Sequence, residues 1–311
     1  MQAIRQEVGK VLVGQEEIIE GVLIALVAQG HVLIEGVPGL GKTLLVRTLA
    51  QVLSLGFKRI QFTPDLMPSD VTGNKIFDAK RNELVFRPGP VFTQLLLADE
   101  INRAPAKTQS ALLEAMQEYQ VTVDGQGYAL PRPFITMATQ NPVESQGTYP
   151  LPEAQLDRFM FKLSMGYPAK AEENRILAHY AAGFDVTDLS RMGLRAVCDA
   201  TTIQWLQQRG AEVRVDDRVV DYITSIVAQT RKWGSLYLGA SPRASVTLLL
   251  TSRIAAAMVG RDYVNPDDVR RLAPWTLRHR IILNPDAEIE GLTADDVVRE
   301  ILASVEVPEL R

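Results

Sequence analysis

Short apolar runs separated by helix-length amphipathic stretches dominate the first half of the chain. The runs at residues 31–35, 59–62, 95–98, 134–138 and 159–164 are brief and mostly apolar, as strands covered on both faces must be. They alternate with helical patterns at 44–53 and 106–119, which predicts an α/β fold around a mostly parallel five-stranded sheet. Beyond Tyr167 the texture changes. Apolar residues recur at spacings of three and four over 172–182, 217–232 and 242–259, so the remainder reads as helical almost throughout. The expected organisation is an α/β core over residues 1–167 and an all-helical domain over 168–311. Tyr167-Pro168-Ala169 is the expected hinge, since proline cannot continue a strand ladder. Two segments interrupt the core. Residues 63–90 are rich in Pro, Asp and Gly, and residues 120–130 alternate around Asp124-Gly125, the pattern of an inserted β-hairpin.

Composition narrows the class. A chain of 311 residues has room for two domains and a sizeable core without metal or disulfide staples. Its 33 Lys+Arg against 37 Asp+Glu give a net charge of −4, which argues against a general nucleic-acid coat. A single cysteine, Cys198, cannot form an internal disulfide, and residues 1–13 lack a leader pattern, so a reducing, cytoplasmic setting is expected. The longest uninterrupted apolar run, residues 22–28, is far short of the ~20 residues a membrane span needs.

Candidate chemistry concentrates at the ends of the predicted strands. Gly36-Val37-Pro38-Gly39-Leu40-Gly41-Lys42-Thr43 fits G-x-x-x-x-G-K-[ST] at every fixed position, after the 31–35 strand and at the head of the 44–53 helix. That is the setting a phosphate cradle requires. Glycine lets the backbone wrap phosphate oxygens with its N–H groups inward, and a helix N-terminus favours an anion. Lys42 is placed to neutralise the β- and γ-phosphates, and the Thr43 hydroxyl to sit on Mg²⁺. A plain glycine-rich turn is the alternative. The 95–98 strand runs into Asp99-Glu100, where Asp99 suits a metal ion and Glu100 can polarise an attacking water. The same pair also suits the cap of a following helix.

Three further signals depend more on context. Ala138-Thr139-Gln140-Asn141 ends the fourth strand, where the Asn141 amide can bond an attacking water or the γ-phosphate, though Asn141-Pro142 also starts turns. Leu156-Asp157-Arg158-Phe159 offers Arg158 either to a neighbour's γ-phosphate or to a surface Asp–Arg pair. Gly239-Ala240-Ser241-Pro242-Arg243 opens a helix with serine as cap and proline at its first position. Arg243 there opposes the helix dipole unless an anion is close.

These signals occur in the order found in AAA+ ATPases, and the chain resembles the MoxR subfamily over nearly its whole length. The resemblance rests on Val13-Gly14-Gln15, on residues 36–43 as Walker A, and on Asp99-Glu100-Ile101-Asn102-Arg103-Ala104-Pro105 as an extended Walker B. Further matches are Ala138-Thr139-Gln140-Asn141-Pro142 as sensor 1, Glu153-Ala154-Gln155-Leu156-Asp157-Arg158-Phe159 with the arginine finger, and Ser241-Pro242-Arg243 as sensor 2. It implies ATP and Mg²⁺ as ligands, with Gly36, Val37, Pro38, Gly39, Leu40, Gly41, Lys42, Thr43 and Leu44 around the nucleotide and Thr43 and Asp99 on the metal. It further implies that Glu100 activates water, that Asn141 reads the γ-phosphate, that Arg158 reaches into the adjacent subunit and that Arg243 closes a helical lid. Gly14 and Gln15 would lie near adenine, or merely form a turn into a helix. Residues 63–90 and 120–130 correspond to the helix-2 insert and the hairpin before sensor 1 of the clade that also holds magnesium-chelatase subunits, and are the candidates for client contact.

By that resemblance the expected function is a Mg-dependent ATPase working as a homo-oligomeric ring, hexameric, that remodels or matures a protein client. The partner is expected to carry a von Willebrand factor A domain, and metal cofactor insertion is one form such maturation takes. A nucleic-acid motor is the alternative, because MCM helicases share the inserts, but the hairpin tip at 124–127 has no Lys or Arg to grip phosphate. A nucleotide-dependent scaffold is a third reading. His31, His179 and His279 show no metal-ligand spacing. Cys198 is expected in an apolar helix, Trp205, Trp233 and Trp275 as core anchors of the lid, and Arg278-His279-Arg280 on a solvated helix face.

Overall fold

The computed structural model describes residues 2–80, 82–142, 147–186 and 188–309. Contacts group the chain into two units, residues 1–151 with 163–204 and residues 152–162 with 205–311. In chain order the elements up to the first hairpin are α1 (Gln2–Val8), α2 (Glu16–Val27), β1 (Val32–Glu35), α3 (Lys42–Val52), β2 (Phe57–Gln61), α4 (Pro68–Thr72), β3 (Gly73–Asp78) and β4 (Glu83–Pro88). There follow β5 (Leu95–Asp99), α5 (Ala106–Glu118), β6 (Gln120–Val123), β7 (Gln126–Ala129), β8 (Ile135–Gln140), α6 (Glu153–Leu156), β9 (Phe161–Ser164) and α7 (Lys170–Ala181). The rest is α8 (Ala200–Ala211), α9 (Asp217–Thr230), β10 (Leu236–Leu238), α10 (Pro242–Met258), α11 (Pro266–Leu277), β11 (Ile282–Leu283), α12 (Pro285–Ile289) and α13 (Ala294–Ser304).

A five-stranded sheet in the order β2-β5-β8-β1-β9 organises the first part. The neighbours β2–β5, β5–β8 and β8–β1 pair in parallel. Leu95, Leu96, Leu97 and Ala98 of β5 and Val32, Leu33 and Ile34 of β1 are fully buried, which is why both strands are apolar without alternation. In the second unit α9, α10, α11 and α13 pack together over a core that includes Ile223, Leu248, Leu272 and Ile301. The mostly parallel sheet and the helical second part agree with the sequence, and the five strands fall within a few residues of their expected places.

Several expectations require correction. Residues 168–204 group with the first unit, so the boundary expected at Tyr167 lies inside it. The 63–90 segment folds as α4 and an antiparallel β3–β4 ladder, pairing Gly73 with Pro88 through Asp78 with Glu83. Its first pair is tight: at Gly73, with φ 91°, an added Cβ would stand 2.3 Å from the Arg87 carbonyl oxygen. Asp124 and Gly125 both take positive φ, as the expected two-residue hairpin turn demands. Cys198 lies in a loop, half-buried, not in a helix. Trp275 is buried and stacks edge-on against Phe161, but Trp205 is 54% exposed with the Arg209 guanidinium above its ring. The expected solvated face is also wrong for His279 and Arg280, which are both buried.

Candidate functional site

Parallel pairing in register delivers the site residues to one edge of the sheet. Glu35 pairs with Gln140 and Ala98 with Ala138, so Gly36, Asn141 and Glu100 follow the ends of three adjacent strands. Crevices at the carboxyl ends of such strands are where open α/β sheets bind ligands.

The loop from Gly36 to Gly41 turns β1 into α3. Gly36 N–H donates to the Gln140 carbonyl at 3.2 Å, tying the loop to β8. A Cβ on Gly36 would meet the Met165 carbonyl oxygen at 2.6 Å, so only glycine fits. Gly39 and Gly41 take φ of 87° and 81°, and a Cβ on either would meet nothing within 4 Å. Their role is therefore conformational, and the concave side they border is open. Lys42 and Thr43 occupy the first turn of α3, where backbone N–H groups lack helical partners and favour an anion. The half-buried Lys42 Nζ donates to the Gly36 carbonyl within the same loop. Burial pushes the Lys42 ammonium below the usual lysine range, while the negative charges of Asp99, Glu100 and Glu35 pull the other way. Three acidic groups and one cation thus converge on the loop.

Asp99 and Glu100 are held by Arg59 and Gln61, which the sequence did not single out, and by Thr139 and Arg103, which stand in the matched strings. Asp99 Oδ2 accepts from Arg59 Nη2 at 2.7 Å and Nε at 3.1 Å, and Asp99 Oδ1 accepts from Thr139 Oγ1 at 2.6 Å. The Thr139 hydroxyl in turn accepts from the Glu100 N–H at 2.8 Å. Glu100 Oε2 accepts from Gln61 Nε2 at 2.7 Å and pairs with Arg103 Nε at 3.2 Å. Arg59 and Gln61 alternate with the buried Ile60 on the edge strand β2, which puts both side chains on one face beside β5. Glu100 itself takes φ 57° and ψ 50°. That left-handed conformation costs a non-glycine residue about 1 kcal/mol or more, and such strain gathers at functional positions.

Beside the loop is a pocket lined by Val11, Leu12, Val13, Gln15, Gly39, Leu40, Gly41 and Leu44, and by Pro168, Ile176, His179, Tyr180 and Phe184. Gly14 does not line it but makes the turn possible: its φ is 73°, and a Cβ there would stand 2.7 Å from the Glu172 carboxylate. Five of the lining residues lie beyond the expected domain boundary and were missed. Ile176, His179 and Tyr180 are spaced as one face of α7, and Phe184 rests edge-on against Tyr180 with centroids 5.2 Å apart. That periodicity was readable, but it gave no sign of which surface α7 covers.

The structure therefore brings Lys42, Thr43, Asp99, Glu100 and Asn141 to one sheet edge, with Gln15 and the apolar pocket alongside. Arg158 and Arg243 belong to the second unit. Arg158 is half-buried in the turn between α6 and β9, and Arg243 is exposed in the first turn of α10, where Ser241 Oγ caps its N–H at 3.2 Å. Among the described residues neither guanidinium forms a hydrogen bond or ion pair. The open cradle, the lysine turned onto its own loop, and the hard oxygen donors of Thr43 and Asp99 fit a triphosphate with a magnesium ion, and Val37 and Pro38 lie within the same loop. When bound, the metal would neutralise charge on the phosphates.

Known proteins resemble this chain over most of its length. The family model described as the ATPase family associated with various cellular activities matches residues 31–161, and the AAA lid domain model matches residues 228–301. The uncharacterized protein YeaC of Bacillus subtilis is 51% identical, covering 98% of this chain and 94% of that one. Chaperone MoxR1 of Mycobacterium tuberculosis is 44% identical over 98% and 81%, and the MoxR protein of Methylorubrum extorquens 30% identical over 97% and 94%. A crystal structure of a Cytophaga hutchinsonii chain superposes with a TM-score of 0.90 at 41% identity, covering 99% of this chain and 94% of that one. The chain belongs to the MoxR family of AAA+ ATPases and is an ATP hydrolase.

Proposed function

We propose that the protein hydrolyses Mg-bound ATP at the loop from Gly36 to Thr43 and works as a homo-oligomeric, hexameric ring on a protein client. The observation that carries this reading is the register of β5, β8 and β1, which puts Glu100, Asn141 and Gly36 side by side next to Lys42. In this assignment the backbone of residues 36–44 cradles the phosphates, and the pocket of Gln15, Leu44 and Tyr180 receives the base. Thr43 and Asp99 hold the metal, Glu100 takes the proton of the attacking water, and Asn141 orients that water or senses the γ-phosphate. Arg158 serves a neighbouring protomer, and Arg243 answers to nucleotide from the helices of the lid. No helix among the described residues is long and apolar enough to cross a membrane.

A client partner is supported by the two hairpins. Phe77 and Leu84 pair across the β3–β4 ladder and are 60% and 64% exposed. Phe86 of β4 stacks on Tyr128 of β7 with centroids 3.9 Å apart, and Lys75 pairs with Asp124 at 3.5 Å, so both hairpins form one body. An exposed apolar pair on a braced hairpin suits contact with another protein. A partner with a von Willebrand factor A domain is the client class in keeping with the MoxR family, and one relative carries the name chaperone. The phosphate assignment is tested by Lys42→Ala. Loss of a charge-assisted contact worth about 1.5–3 kcal/mol should weaken ATP binding about 10- to 100-fold, measured by fluorescence titration with the fold checked by circular dichroism. Unchanged affinity in that variant would remove Lys42 from the site.

A further inference from the structure

Asp157 immediately precedes Arg158, yet its carboxylate is engaged elsewhere. Asp157 Oδ1 accepts from Arg280 Nε at 2.6 Å and Asp157 Oδ2 from Ser241 Oγ at 2.9 Å. The Arg280 side chain is only 2% exposed. It spends its remaining N–H groups on backbone carbonyls, most of them in the same turn. Nη2 donates to Phe159 O at 2.6 Å and to Asp157 O at 3.3 Å, and Nη1 to Met160 O at 3.1 Å and to Thr276 O. His279 adds a bond from Nε2 to Phe159 O at 3.0 Å, its ring held neutral by burial. All these residues belong to one unit.

A buried ion pair is a weak way to add stability, because desolvation offsets most of the attraction; its better-attested use is to specify one geometry. Here the geometry fixed is the four-residue turn carrying Arg158. The same carboxylate, through Ser241, also reaches the cap of α10, and Arg243 is two residues beyond that cap. Both arginines that the proposed mechanism invokes are therefore anchored to Asp157, one by the chain itself and one by a hydrogen bond.

We propose that Asp157 and Arg280 are positioning residues that set the direction of Arg158, and that Ser241 ties this direction to the start of the helix bearing Arg243. The proposal rests on reading Arg158 as the arginine given to a neighbour. Such a group must be placed finely, since a shift of about 1 Å can cost 10²-fold in rate. A long, flexible side chain gains that precision only from a backbone that cannot turn. The clamp supplies it: rotation of residues 157–160 would leave the buried Arg280 guanidinium only the Thr276 carbonyl and take the Phe159 carbonyl from the buried His279 ring.

The test is a mutant cycle on the full chain, at protein concentrations where turnover per protomer no longer rises. Asp157→Asn is expected to lower kcat about 10- to 100-fold, and Ser241→Ala about 3- to 10-fold, with protomer affinity for ATP unchanged. Ser241→Thr, which keeps both hydroxyl bonds, should restore kcat. In an Arg158→Ala background each substitution should lose most of its effect on turnover, because only its reach to Arg243 remains. Full multiplication of the two effects in that background would overturn the proposal, as would a Ser241→Ala protein with wild-type kcat. Should Asp157→Asn fail to fold, the Ser241 pair decides alone. If Arg158→Ala by itself turned over normally, the arginine-finger reading would fall first, and the positioning role with it.

Discussion

Glu100→Gln should bind ATP as well as the parent and fail to cleave it, with turnover reduced by about 10²–10⁴-fold, the usual contribution of a positioned general base. The expectation follows from geometry. The carboxylate is at the end of a buried parallel strand, on a residue whose left-handed backbone is secured by the Glu100 N–H to Thr139 bond of 2.8 Å. Glutamine keeps the size and the acceptor for Gln61 but cannot take a proton. Bound ATP should then persist and steady the oligomer, since a ligand that binds one state stabilises it by mass action. Rapid-quench turnover and size-exclusion chromatography with ATP measure the two effects. Hydrolysis at the parental rate would show that another group removes the proton.

Arg158→Ala should retain nucleotide binding and lose about 10³-fold or more in turnover, the range found when an arginine supplied in trans is removed. In the folded chain the Arg158 guanidinium has no partner among the described residues, while the adjacent Asp157 is fully employed by Arg280 and Ser241. An arginine left free beside so constrained a turn is available to a neighbouring molecule. Mixing supports a sharper measurement. Arg158→Ala protomers combined with Glu100→Gln protomers should recover turnover, because each contributes the half that the other lacks. Failure of every mixture to exceed the separate proteins would contradict a shared site.

Much of this was legible in the residues themselves. The strand, loop and helix around Gly36 to Thr43 were readable because glycine, lysine and threonine at fixed spacing answer a local requirement. The Asp124-Gly125 hairpin was readable for the same reason. What escaped depends on contacts distant in sequence. Arg59 and Gln61 carry no local signal of a role, and only the pairing of Gln61 with Asp99 sets them against both carboxylates. His179 and Tyr180 fall in the expected 172–182 helix, and only the folded α7 places them at the pocket. Charge in a helical stretch usually faces water, so Arg280 reads as solvated; its pairing with Asp157, 123 positions earlier, leaves no trace in a local pattern.

The nucleotide site, as proposed, is completed by a second copy of the chain. The most direct measurement is ATP turnover per protomer as a function of protein concentration, with Mg²⁺ in excess and assembly followed in parallel by light scattering. Turnover should be close to nil for dispersed protomers and rise steeply as they associate. A constant rate per protomer, from the most dilute sample to the fully assembled one, would contradict it.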